Sequence, residues 1–362
     1  MKYVDEFRDK SAVRDLISRI GASSTKRVSF MEVCGGHTMA IQKSGIPSLL
    51  PENITLKSGP GCPVCVSSRG FIDQAVALSR IPGVIIATFG DLIRVPGSYT
   101  TLEKAKAEGS RVEIVYSILD ALKIAEKYPD RKIIFLGIGF ETTAPSTAAG
   151  ILMARSGGLK NFFVLSSHKV MPPAMRALVE EGINIDGFIG PGHVSTITGS
   201  AIYEELPRLY RLGCVISGFE PVDILQSIYM LVMQAEKNEP KVEIQYKRAV
   251  KPEGNRKALD MLDQVFELCD DWWRGLGILK SSGLRLKNEF ADFDAGLHFH
   301  VEVPDIREDA RCLCGDVLKG RITPDECSLF GKSCNPVNPV GACMVSNEGA
   351  CHAYYRYHYH GR

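Results

Sequence analysis

The sequence predicts an α/β protein with two similar parallel-sheet α/β domains facing each other across a cleft, followed by a small α+β domain. Two observations indicate this. Apolar, β-rich runs recur with helical stretches between them, and within each of two series their starts lie 25 to 29 residues apart, which is the length of a strand–helix–strand unit. A cysteine-dense region then follows a charged, Pro-containing segment at 238–254.

The predicted strands fall into two consecutive series. The break between them is Tyr128-Pro129-Asp130, since proline disfavours helical geometry in the residue before it. The third region continues with a helical pattern over 258–269 and short strands near 284–288 and 297–301. We therefore divide the chain into residues 1–128, 129–240 and 241–362. The two series are 27–33, 54–57, 83–89 and 111–116, then 132–138, 161–166, 186–190 and 213–217.

Charge and hydropathy exclude two classes of protein. Lys and Arg number 43 against 42 Asp and Glu, so no net field attracts nucleic acid. The sequence contains no run of about 18 apolar residues, the length that a membrane span requires. The first ten residues lack the apolar core of a signal peptide. We expect a cytoplasmic protein, in which eleven cysteines indicate metal or redox chemistry more than a disulfide framework.

The motif around Cys34 is the first candidate site. Cys34-Gly35-Gly36-His37 follows the apolar run 28–33, and ligands of open α/β sheets bind at the carboxyl ends of strands. We interpret Cys34 as a reactive thiolate, with His37 three residues away as a partner. The alternative is a buried, inert cysteine, a common fate of this residue type.

A Cys-x-x-Cys motif follows the second predicted strand. Cys62 and Cys65 lie in Gly59-Pro60-Gly61-Cys62-Pro63-Val64-Cys65, just before a helical pattern. The positive end of a helix dipole favours a thiolate, so this pair is suited to dithiol–disulfide cycling or to metal binding. The alternative is a turn that contains two cysteines without a chemical role.

Polar loops also follow the strands of the second series. Glu141, Thr142 and Thr143 come after the run 132–138, and His193 lies in Gly190-Pro191-Gly192-His193. If both domains are open parallel sheets, these loops can face Cys34, Cys62 and Cys65 across the cleft between the domains. The alternatives are a helix cap at Thr142 or Thr143 and a structural, hydrogen-bonded His193.

Six cysteines crowd into the last 51 residues and give the strongest metal signal. Four thiolates bind either zinc or a cubane iron–sulfur cluster. The spacing is too wide for a paired zinc ribbon, so we favour iron–sulfur, although spacing alone does not say which four bind. The six are Cys312, Cys314, Cys327, Cys334, Cys343 and Cys351.

These motifs together resemble one family, the hydrogenase maturation factors HypD. The resemblance covers essentially the whole chain and departs from the family pattern at Ser67-Ser68, where a Thr-Pro is expected. Its motifs are Cys-Gly-Gly-His-Thr at 34–38, Gly-Pro-Gly-Cys-Pro-Val-Cys at 59–65, Gly-Phe-Glu-Thr-Thr at 139–143, Pro-Gly-His-Val at 191–194, Gly-Phe-Glu-Pro at 218–221, Cys-x-Cys-Gly at 312–315 and Gly-x-Cys-Met-Val-Ser-x-Glu-Gly-x-Cys at 341–351.

The resemblance implies a function. Members of this family form, with the small chaperone HypC, the scaffold on which the iron of nickel–iron hydrogenases receives its cyanide and carbonyl ligands, and HypE donates the cyanide. By the same resemblance, Cys34 holds this transient iron and the third domain carries a 4Fe-4S cluster. Its implied ligands are Cys312, Cys327, Cys334 and Cys351, with Cys314 and Cys343 as an adjacent thiol pair.

Two hypotheses extend the function that the resemblance implies. Thr142, Thr143 and His193 are expected to hydrogen-bond cyanide nitrogen, and electrons are expected to pass from the cluster through the Cys314 and Cys343 pair to Cys62 and Cys65. A rival function is a stand-alone, 4Fe-4S-dependent thiol–disulfide reductase that carries no iron–cyanide group. A third is an assembly platform whose thiols are regulatory.

Overall fold

The structure is a computed structural model that describes residues 5–303, 305–306 and 309–359. Within these residues, eleven strands form two sheets. The strands are β1 (Val28–Glu32), β2 (Ile54–Ser58), β3 (Val84–Thr88), β4 (Val112–Ile114), β5 (Lys132–Gly139), β6 (Phe162–Lys169), β7 (Gly187–Pro191), β8 (Gly213–Ser217), β9 (Val242–Ile244), β10 (Phe266–Trp273) and β11 (Gly277–Leu286).

The two sheets differ in how parallel they are. The first, which we call sheet A, has the order β2-β1-β7-β8-β9 and is parallel throughout. The second, sheet B, has the order β10-β11-β6-β5-β3-β4. Its strands β6, β5, β3 and β4 are parallel, and β10 and β11 add an antiparallel hairpin at one edge. The predicted α/β class with mainly parallel strands is therefore confirmed.

The assignment of the strands to two consecutive halves is wrong. The chain forms β1 and β2 of sheet A, then all of β3 to β6 in sheet B, and then returns to sheet A for β7 to β9. No sheet boundary falls at residue 128, because β3 pairs directly with β5. The spacing of strands reports the length of each strand–helix–strand unit, but it carries no information about which sheet a strand joins.

All eight strands of the two predicted series are present, and helices separate them. Several helices begin at the side chains that the capping rules favour: Asp9, Ser68, Thr101 and Asn255 each accept a backbone N–H at a helix start. The helices are α1 (Lys10–Ser23), α2 (Gly35–Lys43), α3 (Pro63–Val66), α4 (Arg69–Ser79), α5 (Leu102–Ala107), α6 (Ile118–Lys127), α7 (Ala144–Ser156), α8 (Met171–Glu180), α9 (Gly192–Thr198), α10 (Glu205–Tyr210), α11 (Pro221–Lys237), α12 (Arg256–Val265), α13 (Ala295–His298), α14 (Cys314–Leu318) and α15 (Ala350–Tyr354).

The region after residue 238 departs most from the predictions. The expected linker contains β9, which completes sheet A by pairing with β8. The helical pattern over 258–269 changes to strand at Phe266, where β10 begins. The strand expected near 284–288 corresponds to the end of β11, whereas residues 297–301 form no strand and begin inside α13. These segments are short, and tertiary pairing overrides their local pattern.

Three hydrophobic cores explain why the strands are so apolar. One lies between the two sheets and includes Met31 and Phe188 of sheet A with Ile134 and Phe163 of sheet B. The outer face of each sheet is covered by helices that form the other two cores. Strands buried on both faces read as continuous apolar runs. In the part of the chain that the structure describes, no helix combines the length and apolarity needed to cross a bilayer.

The strand order also locates a ligand-binding crevice. In sheet A, β1 leads to β2 on one side, while the neighbouring β7 leads to β8 on the other. At such a reversal the two connecting loops diverge and leave a crevice at the carboxyl ends of the strands. Cys34 follows β1 at this point, and His193 follows β7 in the first turn of α9.

Candidate functional site

Cys34 lies at the first residue before α2, and two glycines hold it there. Its backbone N–H donates to the Glu32 carboxylate at 3.0 Å. The next N–H, that of Gly35, donates to the Gly61 carbonyl at 2.9 Å. A Cβ on Gly61 would lie 2.1 Å from the Cys34 nitrogen, so only glycine allows this approach. The loop before Cys62 is therefore in direct backbone contact with Cys34.

The surroundings of Cys34 are acidic. Glu32 is buried and accepts a hydrogen bond from Thr38 as well as from Cys34, and burial raises its pKa to about 7. Glu348 reaches the same place from just before α15, and burial also raises its pKa. Burial, then the charges of Glu348 and Glu32, raise the pKa of Cys34 to about 12. The pocket therefore disfavours a thiolate while the thiol is free, and a bound cation would favour one.

A stack of three rings stands beside Cys34. Phe219 lies between His37 and His193, with ring centroids 4.5 Å and 3.9 Å apart. The His37 Nε2–H donates to the carbonyls of Ser217 and Gly218 at 3.2 Å and 3.0 Å. That tautomer leaves Nδ1 as an acceptor, and this buried atom has no partner among the described residues. Burial lowers the pKa of His37 to about 4 and also lowers that of His193, so both rings are neutral at pH 7.

His193 and Cys34 thus both lie at the carboxyl ends of adjacent strands of sheet A. The prediction placed them in separate domains facing across a cleft, and it is wrong in this respect, because β1 and β7 are neighbours in sheet A. Next to them is a cavity of about 730 Å³, which His193 lines and Cys34 does not. Gly36, Phe219 and Glu348 also lie at this cavity. Its charged rim includes Lys43 and two paired arginines, Arg8 with Glu220 and Arg248 with Asp223.

Cys62 and Cys65 form a disulfide at the start of α3, with their Cα atoms 5.2 Å apart. Cys62 is the N-cap residue, and its sulfur accepts the Cys65 N–H at 3.2 Å. Both are buried. The helix contacts β5 of sheet B on one side and the 3-10 turn Ala342–Met344 on another, so the predicted redox pair lies between the two sheets and next to the cysteine-rich region.

The loop after β5 has mainly structural contacts. Glu141 accepts the Met171 N–H at 2.9 Å and so caps α8, and burial raises the pKa of Glu141 to about 7. Thr143 directs its hydroxyl back to the carbonyls of Ile138 and Phe140, and it makes no side-chain cap on α7. Thr142 is exposed. This loop lies at the carboxyl end of a strand of sheet B, whereas Cys34 lies at the carboxyl end of a strand of sheet A.

The cysteines of the last region converge. Five of them line one cavity whose other walls are mainly apolar, and Cys343 lies beside it with sulfur contacts to Cys314 and Cys351. Hydrogen bonds from Cys314 and Cys343 lower the pKa of Cys351. The cavity is lined by Cys312, Cys314, Cys327, Cys334 and Cys351, with Leu313, Val317, Leu329, Phe330, Gly341 and Met344.

Thiols around a mainly apolar cavity are the kind of donor set that an iron–sulfur cluster uses. Among the described residues, no three Cys, His, Asp or Glu side chains are arranged to bind one metal ion together. A 4Fe-4S cluster instead takes thiolates that bind different iron atoms, within an apolar enclosure. The predicted ligands Cys312, Cys327, Cys334 and Cys351 all line the cavity, as does Cys314 of the predicted pair, while Cys343 does not.

Sequence reasoning missed three residues at Cys34. Glu32 ends a strand that reads as apolar, and Phe219 was only part of a motif. Glu348 is part of the motif at 341–351, but only the cysteines of that motif were given a role. A glutamate between closely spaced cysteines was a usable signal, but only the packing of α15 against α2 brings it to Cys34.

Comparisons with known proteins agree with the motifs. The family model described as HypD, hydrogenase formation hypA family, matches residues 11–358. The hydrogenase maturation factor HypD of Azotobacter vinelandii is 48% identical over 99% of this chain and 97% of its own. That of Escherichia coli K12 is 44% identical over 99% and 98%. A putative hydrogenase expression/formation protein of Methanocaldococcus jannaschii is 44% identical over 96% and 98%. The chain belongs to the HypD family.

Proposed function

We propose that this chain is the cytoplasmic scaffold and redox protein on which the Fe(CN)2CO group of nickel–iron hydrogenases is assembled, acting with HypC and HypE. The relatives' names place them in hydrogenase maturation. One observation carries the proposal for this chain: Cys34 is buried at the crevice of sheet A between the carboxyls of Glu32 and Glu348. Such a pocket disfavours a bare thiolate and favours a thiolate that binds a cation.

Iron is the substrate in this scheme, and Cys34 is the residue that holds it. A soft thiolate suits iron that carries strong-field diatomic ligands. Binding of the cation releases the thiol proton, and the nearby carboxyls, with a pKa of about 7 at Glu32, are suited to accept it. The neutral His193 ring lines the cavity next to Cys34 and can donate a hydrogen bond to cyanide nitrogen. A contribution of Thr142 and Thr143 stays a prediction.

The cavity next to Cys34 supports a partner-dependent assembly. Its volume of about 730 Å³ admits several side chains of a second protein, and Gly36, two residues from Cys34, lines it. A partner bound there is suited to place a HypC cysteine close to Cys34.

Eight other cysteines supply redox chemistry. We propose that Cys312, Cys327, Cys334 and Cys351 hold a 4Fe-4S cluster, which when bound supplies single electrons. Cys314 and Cys343 form the adjacent thiol pair, and their hydrogen-bond contact supports this. Cys62 and Cys65 pass between disulfide and dithiol, and the contact of α3 with the turn that carries Cys343 puts these two pairs of cysteines in neighbouring segments.

The test is infrared spectroscopy of the complex with HypC. We expect cyanide and carbonyl bands in the unchanged complex and in Cys269→Ala, a control that removes a half-buried cysteine on β10. We expect the bands to vanish in Cys34→Ala, with HypC still bound. Bands that persist in Cys34→Ala would remove this residue from the iron.

A second candidate is a stand-alone, cluster-dependent thiol–disulfide reductase. The Cys62–Cys65 disulfide beside the cysteine-rich region favours it, but it gives no task to the acidic pocket of Cys34. Turnover of a protein disulfide by the isolated chain, without diatomic bands in the HypC complex, would support the reductase over the scaffold.

A further inference from the structure

The tip of the β10–β11 hairpin is anchored firmly to sheet B. Lys169, at the end of β6, is almost fully buried and forms an ion pair with Asp271. Trp273 is fully buried, and its ring stacks on Phe140 with centroids 5.9 Å apart. Paired charges and a buried aromatic ring fix the backbone at this point. The next residue, Arg274, therefore extends from a rigid support.

Arg274 donates hydrogen bonds to the carbonyls at the carboxyl end of α3, the helix that carries the disulfide. Its side chain donates to the carbonyls of Cys65 at 3.1 Å and Ser67 at 3.0 Å. Its backbone N–H donates to the Val66 carbonyl at 3.0 Å. The helix α3 has four residues, and a helix this short leaves its last carbonyls unpaired and does not persist alone. Buried Arg274 thus provides donors for three successive carbonyls.

The same tip touches the cysteine-rich region on its other side. Gly275 adopts a φ of +83° and packs on Gly315, where a Cβ would lie 2.7 Å from the Gly315 Cα. Arg274 lines a surface groove together with Cys312 and Cys314. One residue therefore contacts the helix that carries the Cys62–Cys65 disulfide and borders the groove at the Cys312–Cys314 segment.

We propose that Arg274 is a positioning residue for the Cys62–Cys65 pair: by keeping α3 helical, it sets the equilibrium between disulfide and dithiol. An ordered α3 keeps the two sulfur atoms close, and a high effective concentration of one thiol at the other favours the disulfide. Both cysteines are buried, which disfavours thiolate, so proximity dominates the balance. A side chain that cannot reach the carbonyls lets α3 fray, and the disulfide becomes easier to reduce. Only the biological role of this equilibrium depends on the proposed function.

The test measures this equilibrium in the full-length chain with glutathione. Reduction passes two electrons and two protons to Cys62 and Cys65, while two glutathione thiols become one glutathione disulfide. Exchange is then quenched with acid, and the free thiols of Cys62 and Cys65 are alkylated in denaturant and counted by mass spectrometry. We expect Arg274→Gln to shift the equilibrium toward dithiol at least tenfold, about 30 mV for a two-electron couple. Arg274→Lys, which keeps the charge but loses the fork of donors, should shift it less.

The controls separate positioning from a loss of stability. Arg285→Gln removes an exposed arginine from the same hairpin, ion-paired with Glu267, and should leave the equilibrium unchanged. Cys214 is fully buried, so its resistance to alkylation in a separate experiment on the native chain reports global folding. The inference would be overturned if Arg274→Gln and Arg274→Lys both gave a dithiol-to-disulfide ratio within twofold of the unchanged chain while Cys214 stayed protected. This measurement needs no iron, so its failure is distinct from loss of the infrared bands.

Discussion

Glu141 offers a direct test of how burial controls a carboxyl group in this protein. Its Oε1 accepts the Met171 N–H, while its buried Oε2 has no partner among the described residues. Burial raises the pKa from 4.5 to about 7. Between these two values the folded chain holds a proton that the unfolded chain has released. The stability therefore falls as pH rises from about 4.5, and the loss levels off above pH 7.

The size of this effect follows from the two pKa values. The difference between 4.5 and about 7, at 1.36 kcal/mol per pH unit, corresponds to a loss of roughly 3 kcal/mol above pH 7. Glu141→Gln keeps an oxygen for the Met171 N–H but cannot ionise. We therefore expect the variant to gain stability relative to the unchanged chain as pH rises, by roughly 2 kcal/mol or more between pH 5 and pH 8.

The assay is urea unfolding followed by circular dichroism at pH 5, 6, 7 and 8. Glu52→Gln, at an exposed site, is the control and should track the unchanged chain at every pH. If the difference between Glu141→Gln and the unchanged chain stays constant across the four pH values, the carboxyl is not held neutral by burial and the reasoning fails.

Two further substitutions test contacts near the site. Gly61→Ala places a Cβ 2.1 Å from the Cys34 nitrogen and should lower the urea midpoint markedly. In the control Gly21→Ala, the nearest atom to the new Cβ is 3.9 Å away, so the midpoint should not fall. Equal midpoints in the two variants would contradict the close backbone contact. Asp223→Asn removes the carboxylate that Arg248 binds through two nitrogens. The same unfolding assay should show a stability loss of about 3 kcal/mol, and a loss below about 0.5 kcal/mol would contradict a buried pair.

The sequence predicted the strands well because their signal is local. Each of the eight strands in the two series is a short apolar run, and a strand buried on both faces needs such a run whatever its neighbours are. The candidate residues Cys34, Cys62 and His193 were found for a related reason: each follows a strand directly, where α/β proteins place ligands. The fold class and most of the site were therefore readable from residues close together in the chain.

Pairing between strands was not readable in this way. Phe30 of β1 pairs with Gly187 of β7, and no feature of either segment identifies the other as its neighbour. The arrival of Glu348 at Cys34, and of Arg274 at α3, is equally non-local. An isolated arginine after two tryptophans carries no pattern, and its role is visible only through the three carbonyls that it binds.

The sequence by itself determined the α/β class, the positions of the eight strands in the two series, the candidate cysteines and the resemblance to HypD. The tertiary structure decided that the chain leaves sheet A after β2 and returns at β7, which puts Cys34 and His193 on one edge and encloses Cys34 in carboxyl groups. The physical reason is that local conformation depends on neighbouring residues, whereas the choice of strand partners depends on which arrangement buries both faces of each sheet across long connections.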